Sequence, residues 1–228
     1  MLARFVAAIA AMVVVITASN ILVLYPVDAT LGPVDLKDLL TWGAFTYPFA
    51  FLVTDLTNRY DGAARARLVV LVGFIVAVAL SFYLSFNPLP WNLGGSPATT
   101  ARIATASVTA FLIGQLLDIS VFSRLRASRN WFLPPLVGSL VGSLLDTAIF
   151  FSIAFAPAFG FVDGLYGAQD GSLGFPAPFL SLGAEVPLWF SLAAGDFLVK
   201  FLAALLLLAP YRALMGKLMP LPPLQAAA

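Results

Sequence analysis

The stretch TYPFAFLVTDLTNRYDGAARARL, from Thr46 to Leu68, decides the fold. It begins apolar, with Pro48 near its start, then sets down Asp55 and follows it with Arg59, Arg65 and Arg67. An apolar run that ends in a basic cluster reads as a segment leaving the hydrocarbon of a bilayer on its cytoplasmic side, where Lys and Arg accumulate. Pro48 lacks a backbone N–H and frees carbonyls one turn earlier, so a kink is expected there. Asp61-Gly62 reads as the turn into the next segment.

The rest of the chain agrees. Of 228 residues, 61% are hydrophobic and 10% are charged. A soluble chain has about 45–50% apolar and about 25% charged residues, so a water-soluble fold could not hide this much apolar surface. The expected class is an all-α polytopic membrane protein embedded in a lipid bilayer. Neither Cys nor His occurs, which removes disulfides, the usual zinc sites, Cys nucleophiles and Ser-His-Asp triads. No metal or cofactor is expected. The net charge of +1 gives no sign of a nucleic-acid surface.

A helix crossing the hydrocarbon needs about 20 mostly apolar residues. Six stretches qualify, at about 5–25, 39–57, 68–86, 102–122, 131–156 and 186–210. They make one transmembrane domain over 1–217, with a long outer connection at 157–185 and a disordered tail at 218–228. Arg4, Arg59, Arg65, Arg67, Arg124, Arg126, Arg129, Arg212 and Lys217 fall on one side, nine of the twelve basic residues. The positive-inside rule therefore puts both termini in the cytoplasm, and the alternation works only with six spans. Asp28, Asp35, Asp38, Asp163, Asp170 and Glu185 fall in the outer connections with Lys37. The first apolar run is longer than the 7–15 residues of a signal peptide, so it is read as a span. Trp91, in the outer loop NPLPWNLGGSPATT, suits the membrane interface, and 157–185 reads as a floppy loop, a lid or a half-inserted segment.

Asp55, Asp118, Asp146, Asp196 and Lys200 lie within or at the edge of spans. Such a group at a helix centre costs about 2.5–3.5 kcal/mol on insertion scales, so these residues should face the bundle interior or a wet cavity. Asp196 and Lys200 are one turn apart on one helix face and can pair. That pair is either structural or part of a substrate or proton site. Asp146 ends a stripe of small residues, Gly138 and Gly142, flanked by Ser139 and Ser143. Close helix packing explains the glycines but not the aspartate. Asp55 and Arg59 form an Asp/Arg pair at the inner end of span 2, structural or gating. Asp118 is close enough to the inner interface to be solvated. Asn20 belongs to the polar run TASN in span 1. Arg102 opens span 4 and either attracts an anionic group or snorkels.

The segments TASNILV, TWGAFTYPFAFLVTDLTNRYDGAARAR, ARIATAS, GQLLDISVFSRLRASRNWFLPPLVGSLVGSLLDT and GDFLVKF resemble the queuosine precursor transporter family, a vitamin-uptake-type group of six-span bacterial inner-membrane proteins. They occur in family order from span 1 to span 6. Asp61 stands where the pattern expects an aromatic residue, and 156–185 carries no family motif. The resemblance implies uptake of purine-like bases, 7-cyano-7-deazaguanine and 7-aminomethyl-7-deazaguanine. A carboxylate, Asp146 or Asp196, would accept the adjacent N–H groups of a guanine-like edge. Asp55, Arg59 and Asn20 would line or gate the site. The chain has no GxxxxGK[ST] phosphate loop and cannot itself hydrolyse ATP. A carrier, a facilitator and a substrate-binding subunit served by separate energising subunits all stay open, as does a homo-oligomer. Ala3, Ala7 and Ala11 make a small-residue face on span 1 that could dock a partner helix. An intramembrane Ser-Lys hydrolase using Lys200, and a membrane scaffold, are the competing classes, and no enzyme is expected.

Overall fold

The computed structural model describes residues 2–32, 34–36, 40–89 and 99–215. The expectations placed on Lys37, Asp38, Leu39, Trp91, Lys217 and the 218–228 tail fall outside these residues. The elements are α1 (Leu2–Leu22), β1 (Thr30–Leu31), β2 (Val34–Asp35), α2 (Gly43–Thr46), α3 (Pro48–Asp61), α4 (Ala63–Phe86), α5 (Ala101–Leu125), α6 (Leu133–Phe155), α7 (Phe161–Leu165), β3 (Pro176–Pro178), β4 (Glu185–Pro187) and α8 (Leu188–Ala213). The protein is mostly helical. Two antiparallel hairpins, β1–β2 and β3–β4, are additions that the all-α expectation did not include.

Among the described residues five helices, α1, α4, α5, α6 and α8, are long and apolar enough to cross a membrane. The segment expected as a span over 39–57 is different. Its helical part runs later, from Gly43 to Asp61, in two pieces. Tyr47 at the junction keeps helical dihedrals, φ −57° and ψ −39°. The break lies in the hydrogen-bond ladder, because Pro48 has no N–H to donate. The 14 residues of α3 span only about 21 Å at 1.5 Å per residue. Gly62 ends α3 at φ 86°, in the left-handed region that glycine occupies without strain, and turns the chain into α4. Thr100 caps α5 by accepting from Ile103 N at 3.2 Å. Pro134 and Pro135 fit the first turn of α6, where no N–H partner is needed.

Many small residues face inward beside the buried Phe51, Phe111 and Phe122, and many large apolar ones face outward. Ala50, Ala66, Ala104, Ala106 and Ala110 are buried, whereas Leu2, Ile75 and Leu206 stand 76%, 60% and 74% exposed. Lipid tails accept a leucine as readily as a protein core does, so helices associate where small side chains let backbones approach. The most extensive pair is α5 with α6. A Cβ on Gly142 would lie 2.9 Å from Gly114 O, and one on Gly114 would lie 3.1 Å from Gly142 O. The glycine stripe read from the sequence is therefore the seam where these two backbones meet.

The connection after α6 is folded. It holds a 3₁₀ turn at Pro157–Phe159, α7 and the β3–β4 hairpin. Arg102, at the start of α5, organises it. Its Nε and Nη2 each donate at 2.7 Å, to Ile153 O and Ala156 O at the end of α6. Its Nη1 reaches Asp163 Oδ2 at 2.7 Å, Asp170 Oδ1 at 3.3 Å and Ser172 Oγ at 3.0 Å. Arg102 is buried by these partners and does not snorkel. Ser172 donates to Asp170 from both side chain and backbone, and with Arg102 nearby this holds the Asp170 carboxyl below its ordinary range.

Candidate functional site

A cavity of about 660 Å³ opens within the half of the bundle where α1, α4 and α6 end and α5 and α8 begin. Ligand pockets commonly measure about 300–1,000 Å³. Its walls come from Ile16, Ser19, Asn20 and Val23 of α1, Ser81 and Leu84 of α4, and Ile103, Ser107 and Phe111 of α5. Phe150, Phe151 and Phe155 of α6 supply apolar ring faces. Asn20 is fixed in the wall: its Oδ1 accepts from Ser81 Oγ at 2.7 Å and its Nδ2 donates to Ile16 O at 3.0 Å.

The floor is charged. Lys200 Nζ lies 2.7 Å from Asp146 Oδ2 on α6 and 2.6 Å from Asp196 Oδ2 one turn back on α8. It also donates to Thr147 Oγ1 at 3.2 Å. Tyr47 donates its hydroxyl to Asp146 Oδ1 at 2.8 Å, and Thr147 donates to Asp196 Oδ2 at 2.7 Å. The Lys200 ammonium also stands 5.1 Å from the centre of the Tyr47 ring. Every atom of Asp146 that can accept is thus in use. The Oδ1 of Asp196 has no partner among the described residues, and the side chain is 14% exposed. Two carboxylates share one ammonium, so the floor has one formal negative charge left over and one free acceptor beside the cavity.

The sequence candidates separate into three places. Asp146, Asp196 and Lys200 meet at the floor, and Asn20 stands in the wall. Asp55 lies toward the other end of the bundle. It accepts from Ser139 Oγ at 3.1 Å and does not pair with Arg59, whose Nη1 donates to Arg126 O at 3.2 Å. A second pocket of about 20 Å³ touches Asp55, Ser139, Ser143 and Lys200. Asp118 is fully buried rather than solvated, and it packs into the notch left by Gly138 and Gly142. Arg102 belongs to the folded connection and does not line the cavity.

Sequence reasoning missed Tyr47 and Thr147. Tyr47 had a readable signal, since it sits directly before Pro48, where the helix breaks and a side chain can turn into the bundle. Thr147 adjoins Asp146. Ser81, which holds Asn20, had no signal in its apolar surroundings.

Residues 41–214 match the model of the family described as "Putative vitamin uptake transporter". The chain belongs to this family. A queuosine precursor transporter of Escherichia coli is 43% identical over 147 residues, 62% of this chain and 64% of the relative. The aligned part thus spans just under two thirds of that protein's length. A "Probable queuosine precursor transporter" of Haemophilus influenzae is 34% identical over 208 residues, 86% of this chain and 79% of the relative. One of the same description from Bacillus subtilis is 32% identical over 95 residues, 38% of this chain and 42% of the relative. No solved structure matches the chain. The match begins at residue 41 and contains the whole charged floor, whereas Asn20 lies before it.

Proposed function

We propose that the protein imports the queuosine precursors 7-cyano-7-deazaguanine and 7-aminomethyl-7-deazaguanine across the bacterial inner membrane. The observation that carries this reading is the free Asp196 Oδ1 at the floor of an aromatic-walled cavity in a member of this transporter family. A deazapurine presents a flat ring to Phe150 and Phe151 and ring N–H donors to a carboxylate. The aminomethyl form adds a cation, which suits a floor with one negative charge in excess. Asp146 and Lys200 position Asp196, and Tyr47 positions Asp146.

Six crossings accommodate the charge pattern. The five long helices and the broken α2–α3 segment give alternating ends, with Arg4, Arg59, Arg65, Arg124 and Arg126 together on one side. In our reading that side is the cytoplasm, both termini lie there, and the cavity opens outward. The break at Tyr47–Pro48 lies against protein and cavity rather than lipid, as irregular backbone in a membrane must.

The test uses a bacterium that neither makes these precursors nor has its own importer. The protein is expressed, 7-cyano-7-deazaguanine is supplied at low concentration, and queuosine in tRNA is assayed. The expected result is rescue by wild type and loss of rescue in D196N at equal membrane level. Absence of rescue with both precursors would overturn the reading.

A further inference from the structure

The inner half of the bundle holds a second polar group that the cavity does not use. Asp55 on α3 and Asp118 on α5 are 2% and 0% exposed. Among the described residues neither oxygen of Asp118 has a hydrogen-bond partner, and Oδ1 of Asp55 has none. Two further buried atoms, both on neutral side chains, are also unpartnered. One is Nε2 of Gln115, one turn before Asp118, whose Oε1 is taken by Thr54 at 2.6 Å. The other is the hydroxyl of Tyr211 on α8, which is 1% exposed. Asp55 and Asp118 meet α6 at adjacent positions: Ser139 bonds to the first, and the second fills the notch at Gly138.

Among the described residues no cation pairs with either acid, although Nε of Arg59 and of Arg4 is also buried without a partner. On α8, Lys200 is taken by Asp146 and Asp196. On α6, Asp146 is itself taken by Tyr47 and Lys200. On α3, Arg59 donates to Arg126 O, and Tyr60 bonds to Met215 O. At the end of α5, Arg126 returns a bond to Arg59 O. Arg4 of α1 and Arg65 of α4 both pair with Asp61. Two ionised carboxylates do not persist side by side in a dry interior, and a bound proton turns such a pair into a donor and an acceptor. A metal ion fits poorly, because a hard cation takes six or more oxygens at short range. Asp118 Oδ1 is pressed against α6, 2.6 Å from where a Cβ of Gly138 would stand.

The small pocket supplies a connection. Its volume of about 20 Å³ is that of a single water, which needs about 10–15 Å³ and polar partners. Asp55, Ser139, Ser143 and Lys200 all touch it. One water there would stand between Asp55 and the lysine that holds the cavity floor.

We propose that Asp55 and Asp118 form a proton-binding site, and that its loading and unloading accompany each passage of cargo past Asp196 and Lys200. An O–H bond forms on one of the two carboxylates with a proton taken from water at the cavity end. It breaks again as that proton passes to water at the other end, so no other reactant is needed. For the identity of the cargo the proposal rests on the transport reading above.

The test uses the purified full chain in lipid vesicles, as wild type, Asp118→Asn and Asp55→Asn. Infrared spectra taken across a pH titration report protonated carboxyl groups whether or not any cargo binds. Wild type is expected to keep a protonated carboxyl band at pH 7 that both variants lack. On the same vesicles, labelled 7-cyano-7-deazaguanine is followed in equilibrium exchange and in uptake driven by a pH gradient. Asp118→Asn is expected to keep exchange, which also shows that it is folded, while its driven uptake falls to the level reached without a gradient. Absence of the band in wild type, or its survival in both variants, would overturn the proposal whatever the transport data show. Driven uptake by Asp118→Asn at the wild-type level would also overturn it, leaving a buried structural proton. A wild type with the band but no exchange would overturn the transport reading and, with it, the coupling.

Discussion

Two groups of charged residues lie inside this bundle, and they are built in opposite ways. At the cavity floor, Asp146, Asp196 and Lys200 come from two helices and are joined by short bonds, with Tyr47 and Thr147 completing them. In the inner half, Asp55 and Asp118 have one bond from Ser139 between them and several buried oxygens with no partner. The first group joins its charges through Lys200. The second has no such cation and shares a proton in our account. In our account the same residue type serves recognition in one half of the molecule and proton storage in the other.

Removing the shared cation should produce the largest effect. Lys200→Ala leaves two carboxylates facing each other, and breaking a buried pair costs about 3–5 kcal/mol. The variant should lose thermal stability in detergent, and D146N added to K200A should restore part of it. A single variant as stable as wild type would mean that the floor is wetter than its burial implies. By contrast, Asp118→Asn replaces a carboxyl with no hydrogen-bond partner by an amide of the same size and should cost less than about 1 kcal/mol. A loss as large as that of K200A would erase the distinction between the two groups.

The glycine seam comes next. Gly142→Leu would drive a side chain into Gly114 O and the Phe51 ring, both 2.9 Å from the new Cβ. Overpacking of this kind costs about 1–3 kcal/mol. Because the seam positions Asp146 against α5, it should weaken cargo binding as well as stability, measured on the same preparation. Tyr47→Phe should have a smaller effect. It removes one hydrogen bond to Asp146, worth about 0.5–1.5 kcal/mol, or roughly a two- to twelvefold loss of affinity.

The smallest effect belongs to Asp170. Its carboxyl is held below its ordinary range in the folded chain, so its contribution is present above the unfolded carboxylate value and is lost as pH falls through the folded one. Asp170→Asn should lower stability slightly at neutral pH, and the gap to wild type should close below about pH 4. Thermal melts of both forms across the acid range would show this.

Much of this arrangement could be read before the fold was known, and the failures have physical causes. The one-turn spacing of Asp196 and Lys200 places them on one face of any helix, so their pairing follows from local geometry. The stripe of Gly138, Gly142 and Asp146 likewise marked a contact face. Asp55 and Arg59 share a similar spacing but do not pair, because α6 offers Ser139 to the first and the α5 terminus offers a carbonyl to the second. Arg102 looked like an anion collector or a snorkelling residue. Its partners Asp163 and Asp170 lie more than sixty positions away, in a connection whose folding no local pattern announces. Tyr47 was overlooked because a tyrosine in an apolar run is ordinary, and its partner Asp146 lies 99 positions away.

Direct binding tests the central claim most simply. Purified wild type and D196N would be titrated with labelled 7-aminomethyl-7-deazaguanine in detergent. Asp196→Asn keeps Lys200 paired with Asp146, so the fold survives while the free acceptor loses its charge. A charge-assisted bond is worth about 1.5–3 kcal/mol, so the variant should bind about 10- to 150-fold more weakly than wild type. Equal affinity in the two proteins would place the cargo elsewhere and contradict the account.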